Sequence, residues 1–189
     1  MKINHLCFSF ADTVVFQDLN LDIEDGKITA IMAPSGKGKS TLLRLIAGLL
    51  TPNSGEIMLD GRAVGIMFQE PRLFGQLDVL QNVTLVIKQK KDKQQYAMEL
   101  LRTFGVADAA DKYPDELSGG MAKRVSLARA IAFDADILLL DEPFSALDSD
   151  TKSHVIQRTK QLISGKTVIL VTHDPVEAQS FADHIITLS

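Results

Sequence analysis

Cysteine is nearly absent from this chain of 189 residues, where Cys7 is the only one. No intrachain disulfide framework can brace the fold, so Cys7 reads as a reduced, part-buried thiol. Long apolar runs are missing too. No segment approaches the roughly 18 to 20 residues that a membrane-spanning helix needs. The opening MKINHLCFSFAD is broken by Asn4, His5 and Asp12 and carries no signal-peptide core or cleavage pattern. The expectation is a soluble, intracellular chain that meets a membrane only through a partner. Positive charge is not in excess either. The formal net charge of −4 argues against nucleic acid or anionic lipid as a broad electrostatic partner. The one basic run, Lys88, Lys90, Lys91 and Lys93, is interrupted by Gln89 and Asp92 and reads as a solvated helix end.

What is present is an ordinary globular composition. Hydrophobic residues make up 46% and charged residues 23%, enough for one core with room for a small inserted subdomain. Residues 1–26 alternate apolar and polar positions and end in Glu24-Asp25-Gly26, which predicts antiparallel strands. ITAIMA (28–33) reads as a short buried strand, and TLLRLIAGLL as a helix. Two short strands surround GEIMLDG and AVGIMF, and a mostly helical stretch runs from about Val79 to Ala132. ADILLLDEP has the pattern of a parallel strand buried on both faces. A helix from about Asp148 to Ile163, the strand TVILVT, a helix after Pro175 and the strand HIITL complete the order. Strands alternating with helices imply an α/β fold with a mainly parallel core sheet.

Between the ITAIMA strand and the following helix lie Ala33, Pro34, Ser35, Gly36, Lys37, Gly38, Lys39, Ser40 and Thr41. This is a P-loop in which Ala33 stands where the strict pattern begins with Gly. Such a loop turns backbone N–H groups and a helix N-terminus toward phosphate. Gly36 and Gly38 permit close backbone approach, Lys39 is placed for the β/γ oxygens, and the Ser40 hydroxyl is a Mg²⁺ ligand. A left-handed backbone at Ala33 would cost on the order of 1–2 kcal/mol. Because Pro34 favours an extended preceding residue, negative φ is expected there. The apolar run 137–140 delivers Asp141 and Glu142 to a strand end, where ligands of parallel sheets bind. Asp141 is expected to hold Mg²⁺ through water, and Glu142 to polarise an attacking water. His173 follows another buried strand and is a candidate γ-phosphate contact.

With Leu117-Ser118-Gly119-Gly120-Met121 and the following AKRVSLARAIAFDADILLLDEP, the whole chain resembles the ATP-binding cassette (ABC) family. That resemblance implies a P-loop NTPase with an N-terminal antiparallel β subdomain and a small helical subdomain at about 79–132, within one domain spanning 1–189. It implies an ATPase using ATP with Mg²⁺ and energising an ABC transporter, of importer type similar to nitrate, sulfonate and taurine importer ATPases. Gln69 resembles the Q-loop glutamine that senses Mg²⁺. Ser145-Ala146-Leu147-Asp148 resembles the D-loop, His173 the switch histidine, and Phe10 the aromatic that stacks on adenine. Ser118, Gly119 and Gly120 would act in trans on a second copy's ATP, in a head-to-tail homodimer. Met121 stands where the family most often has Gln, which would weaken but not abolish the site. The resemblance also implies a membrane-spanning partner subunit and peripheral attachment to the inner face of the cell membrane. With one further strand after His173, the expectation is a cassette without a C-terminal regulatory domain.

Three other readings remain open. A soluble ABC-type ATPase of DNA repair or translation would bring a coiled-coil insertion or a second cassette, neither of which is here. A different P-loop class, a GTPase or small-molecule kinase, leaves LSGG unexplained, and no Asn-Lys-x-Asp guanine reader appears. A nucleotide sensor without turnover would treat Ala33 and Met121 as signs of decay.

Overall fold

The computed structural model describes residues 1–34 and 36–188. The alternating N-terminal pattern forms β1 (Lys2–Phe10) and β2 (Thr13–Asp22), paired antiparallel, with β4 (Ser54–Met58) antiparallel on the other side of β1. The buried positions of β1 include Ile3, Leu6 and Phe8, which a strict period of two cannot place on one face. A register shift between Ile3 and Leu6 resolves this. His5 takes a left-handed φ of 51° and Asp18 on the facing strand one of 58°. The extra residue of a bulge brings the apolar side chains back to one side. His5 Nδ1 and Asp18 Oδ1 lie 2.6 Å apart across this irregularity.

The second sheet holds β3 (Ile28–Met32), β5 (Val64–Met67), β6 (Ile137–Asp141), β7 (Thr167–Thr172) and β8 (His184–Thr187), in the order β5-β6-β7-β3-β8. The β6–β7, β7–β3 and β3–β8 pairs are parallel. Every residue of β6 and β7 is buried, which explains why both sequences are continuous apolar runs rather than alternating ones. α1 (Lys39–Ile46) packs against β6, and α6 (Pro175–Phe181) against β3 and β7. The core joins Ile3, Leu6 and Phe8 to Leu42, Leu43 and Ile46 and to Leu139, Ile169 and Val171. Each such side chain contributes about 1.5–3 kcal/mol of burial. The expected α/β architecture, with an antiparallel N-terminal sheet and a mainly parallel core sheet, is the one observed.

The chain divides into two compact units. The sheets, apart from Met67 at the end of β5, belong to the first, made of Met1–Ile66, Asp136–Asp141 and Gly165–Ser189. The second comprises Met67–Ala135 and Glu142–Ser164, with α2 (Val79–Thr84), α3 (Lys93–Thr103), α4 (Gly119–Ala132) and α5 (Ser149–Leu162). α2 packs on α3 and α4. Its start is fixed by a capping box: the Asp78 side chain accepts from the Gln81 N–H, and the Gln81 side chain accepts from the Asp78 N–H. The basic run leads into α3, whose first residue is Lys93; Lys88 lies over the Phe133 ring and Lys90 over Tyr96. Among the described residues no helix is long and apolar enough to cross a membrane.

The β1 bulge makes one glycine indispensable. Gly55 in β4 has φ 85°, and a Cβ there would sit 2.3 Å from the His5 carbonyl oxygen. Gly48 has φ 69° but nothing within 4 Å of its virtual Cβ. Gly48→Ala should therefore cost only backbone strain, on the order of 1–2 kcal/mol. Gly55→Ala, which must also displace backbone of β1, should cost at least about twice that. Chemical denaturation of the two variants checks this, and equal losses would contradict the close approach.

Candidate functional site

In the first unit the sheet register gathers the site. Met32 pairs with Thr172, and Asp141 with Val171, so the carboxyl ends of β3, β7 and β6 finish at one edge. β3 and β6 are two strand spacings apart, roughly 10 Å at about 4.8 Å per strand. Ala33 leaves the end of β3, His173 the end of β7, and Asp141 ends β6. The structure therefore brings the start of the Ala33 loop, His173 and Asp141 to a common edge. Asp141 is 5% exposed, whereas His173 is exposed.

The loop itself is shaped by its glycines. Gly36 and Gly38 take φ of 82° and 80°, open to glycine at little cost. A Cβ on Gly38 would lie 2.5 Å from Val15 Cγ1, so the loop also presses on β2. Ala33 is not among the non-glycine residues with positive φ. Its carbonyl accepts from Lys39 Nζ at 2.6 Å, and the Pro34 carbonyl accepts from the same ammonium at 3.1 Å. Lys39 is 8% exposed and is thus held over its own loop by charge-assisted bonds. Ser40 and Thr41 follow it, half-buried, in the first turn of α1. Ser35 lies outside the described residues.

A difference among the helices points to the ligand. α2, α3, α4, α5 and α6 each have a side chain accepting at the N-cap: Asp78, Asp92, Ser118, Asp148 and Asp174. α1 has Gly38 there, with no side-chain cap and no acid in its first turn. Among the described residues no N-cap side chain accepts from its first N–H groups, the condition under which an anion is favoured. Beside this turn, a cavity of about 620 Å³ is lined by Thr13–Leu21 of β2, by Gly36 and Lys37, and by Ile186 to Leu188. Phe10 is 47% exposed and meets Phe8 edge-on at 4.8 Å, so much of its ring is open for stacking.

No group of three or more His, Cys, Asp or Glu suited to a metal occurs among the described residues. A hydroxyl and a carboxylate, Ser40 and Asp141, are hard oxygen donors. They fit an ion that keeps waters and takes phosphate oxygens, which is Mg²⁺ chemistry.

Sequence reasoning passed over what steadies the His173 turn. Thr172 Oγ1 donates to Glu177 Oε2 at 2.7 Å and accepts from the Asp174 N–H at 3.1 Å. Glu177 is 4% exposed. An acid in the first turn of the helix after Pro175 was the available signal.

The second unit carries the remaining predicted residues. Glu142 has φ 48°, and its carbonyl accepts from Ser145 Oγ at 2.9 Å and the Ser145 N–H at 3.3 Å. Gln69 Nε2 approaches Glu142 Oε2 at 3.4 Å. Ser118 is the N-cap of α4, accepting from the Met121 N–H at 3.3 Å. Gly119 is open around its virtual Cβ, while one on Gly120 would stand 3.3 Å from the Ala146 carbonyl. Asp148 caps α5.

The ABC transporter family profile matches residues 16–145. The aliphatic sulfonates import ATP-binding protein SsuB 1 of Rhodococcus jostii is 42% identical over 187 residues, which cover 95% of this chain and 75% of that protein. The sulfate/thiosulfate import ATP-binding protein CysA of Synechocystis sp. is 38% identical over 203 residues. That match takes in 99% of this chain but 57% of CysA, so the chain spans little more than half of that relative's length. The solved dimeric post-hydrolysis state of the ATP-binding cassette MJ0796, bound to ADP and Pi, superposes with a TM-score of 0.89 at 32% identity. It covers 100% of this chain and 94% of that one.

Asp148 also sets a pH dependence. Bonds from the Thr151 backbone N–H, and then from its side chain, hold the carboxyl below its ordinary value of 3.8. A carboxylate with a depressed folded value stabilises fully above the unfolded value and loses that contribution as pH falls through the folded one. Asp148→Asn keeps an acceptor at the cap but removes the titration. Below about pH 4 its stability curve should be flatter than that of the wild type. Parallel curves from thermal unfolding would rule the effect out.

Proposed function

Because the chain belongs to the ABC transporter family of ATP-binding cassettes, we propose that it binds and hydrolyses ATP to energise transport through a separate membrane-spanning subunit. The observation that carries this reading is the uncapped N-terminus of α1 under left-handed Gly36 and Gly38, with Lys39 Nζ folded over it. That is a seat for a chain of phosphates. The adenine stacks on Phe10. The phosphates lie along Ala33–Thr41, and Lys39 exchanges its two carbonyl partners for β/γ oxygens. A bound Mg²⁺ supplies neutralisation of the charge on those oxygens. Ser40, Asp141 and Gln69 are the residues to hold it, Gln69 through the carbonyl end of an amide whose nitrogen already approaches Glu142.

Glu142 takes the proton of the attacking water, while His173 orients that water or donates to the departing phosphoryl group. Gln69 meets one oxygen of the Glu142 carboxylate and so steadies the acid. Ser118, Gly119 and Gly120 at the N-terminus of α4 complete the site of a second copy in a head-to-tail dimer, with Asp148 in the adjoining turn. The γ-phosphate then bridges two chains, and its loss lets them part, which is the stroke passed to the membrane subunit by the helical insert near 79–132. Import of a small molecule is the direction suggested by the names of the relatives, with this chain acting at the cytoplasmic face of the membrane.

Glu142→Gln should keep ATP affinity, measured by calorimetry, while turnover falls at least about a hundredfold, as loss of a general base predicts. Undiminished phosphate release would remove Glu142 from the base role. If Ser118 acts in trans, hydrolysis per chain should rise with protein concentration until dimers saturate. It should recover partly when Ser118→Arg chains are mixed with Lys39→Ala chains, since each pair then retains one intact composite site. No recovery in a mixture shown to dimerise would contradict the head-to-tail arrangement.

A further inference from the structure

α4 carries a lysine on its buried side. Lys123 shares a helical stripe with Leu127 and Ala130, at spacings of four and seven, and is 4% exposed. An ammonium in such a position is costly unless it is hydrogen-bonded. Here its Nζ donates to the main-chain carbonyl of Gln69, 54 residues away in sequence. We infer that Lys123 is a positioning residue: it fixes the backbone of Gln69 so that the Gln69 amide reaches Glu142. This rests on the proposed role of Glu142 in ATP hydrolysis.

The two ends of the Gln69–Glu142 contact are secured differently. Glu142 is held locally, since its left-handed turn is closed by two bonds from Ser145 to its carbonyl. Gln69 is itself exposed and sits at the start of an irregular segment. Along that segment α4 makes further bonds, with Arg129 donating to the carbonyls of Pro71 at 3.0 Å and Arg72 at 2.9 Å. Asn82 of α2 ties down Phe74 from both its carbonyl and its N–H. Residues 71–74 thus have anchors of their own, and Lys123 is the anchor at Gln69. Taking away the Lys123 ammonium should loosen Gln69 without releasing the segment. The amide contact at 3.4 Å is already long, so a small backbone displacement ends it.

Lys123 stands five residues after Ser118 on the same helix, a rise of roughly 7.5 Å. The Ser118–Gly120 turn and the Gln69 backbone are therefore attached to one rigid rod, and a shift of α4 moves Gln69 relative to Glu142. This gives the turn that would meet a second copy's nucleotide a mechanical link to the chain's own acid.

Lys123→Met keeps an unbranched apolar stem and removes the ammonium. With Mg-ATP, its kcat should fall by about tenfold to a hundredfold, the range for a slightly misplaced group. Its ATP affinity by calorimetry and its Tm should stay close to wild type, and Lys123→Arg should restore most of kcat. Lys123→Gln, uncharged and one bond shorter, serves the same comparison should the methionine variant not fold. The decisive measurement adds Gln69→Ala. If Lys123 acts through Gln69, the double variant is no slower than the slower single variant, whereas multiplied losses, or an unchanged kcat in Lys123→Met, overturn the inference. A wild-type chain that releases no phosphate would instead defeat the ATPase reading itself, so the two failures are distinguishable.

Discussion

The main-chain ladder of β6, β7 and β3 is the constraint from which the site follows. These strands are buried, so their peptide groups must pair with one another, and parallel pairing in a fixed register leaves no freedom in where they end. Asp141, Thr172 and Met32 finish at one edge because backbone hydrogen bonds put them there. The side chains of the runs ILLL and TVILV have only to be apolar and of suitable size. The polar residues that follow each strand then inherit their positions from the ladder.

The same logic separates motif positions used through their backbone from those with no room for a side chain. A phosphate cradle made of N–H groups does not depend on the side chain at position 33, and Ala33, outside the left-handed region, contributes only a methyl and a carbonyl that holds Lys39. Met121 is likewise used through its N–H, which Ser118 accepts. By contrast, Gly38 cannot be changed without moving Val15 and Phe16 of β2. The tight sites are those where backbone geometry is extreme.

The fold was almost wholly legible in the sequence, because strand runs, the glycine loop and helical spacing come from local chemistry. The P-loop, Asp141 and His173 were legible for the same reason: each sits where an apolar run gives way to polar residues. The irregularity in β1 was not, since a bulge is a property of two strands, and nothing in KINHLCFSF says that His5 and Asp18 will leave the sheet together. Nor was the clamp of Lys123, Arg129 and Asn82 on residues 69–74. Its partners are carbonyl oxygens, which every residue has, so sequence marks only the donors. A lysine within the apolar stripe of α4 was the one visible trace.

Glu142 shows why an acid pair at a strand end is more than two charges. Consecutive side chains of an extended strand point to opposite faces, so Asp141 and Glu142 could not present carboxylates to one side if the strand continued. At Glu142 it does not: φ is 48°, in a region that costs a non-glycine residue about 1–2 kcal/mol. The two bonds from Ser145 offset part of that strain, and Ala146, at φ 63°, takes up a second left-handed turn before Asp148 starts α5. Strain of this kind persists where surrounding contacts over-determine it. A relaxed backbone at position 142 would turn the glutamate away from the Gln69 amide, so the unfavourable backbone is itself part of how the acid is aimed.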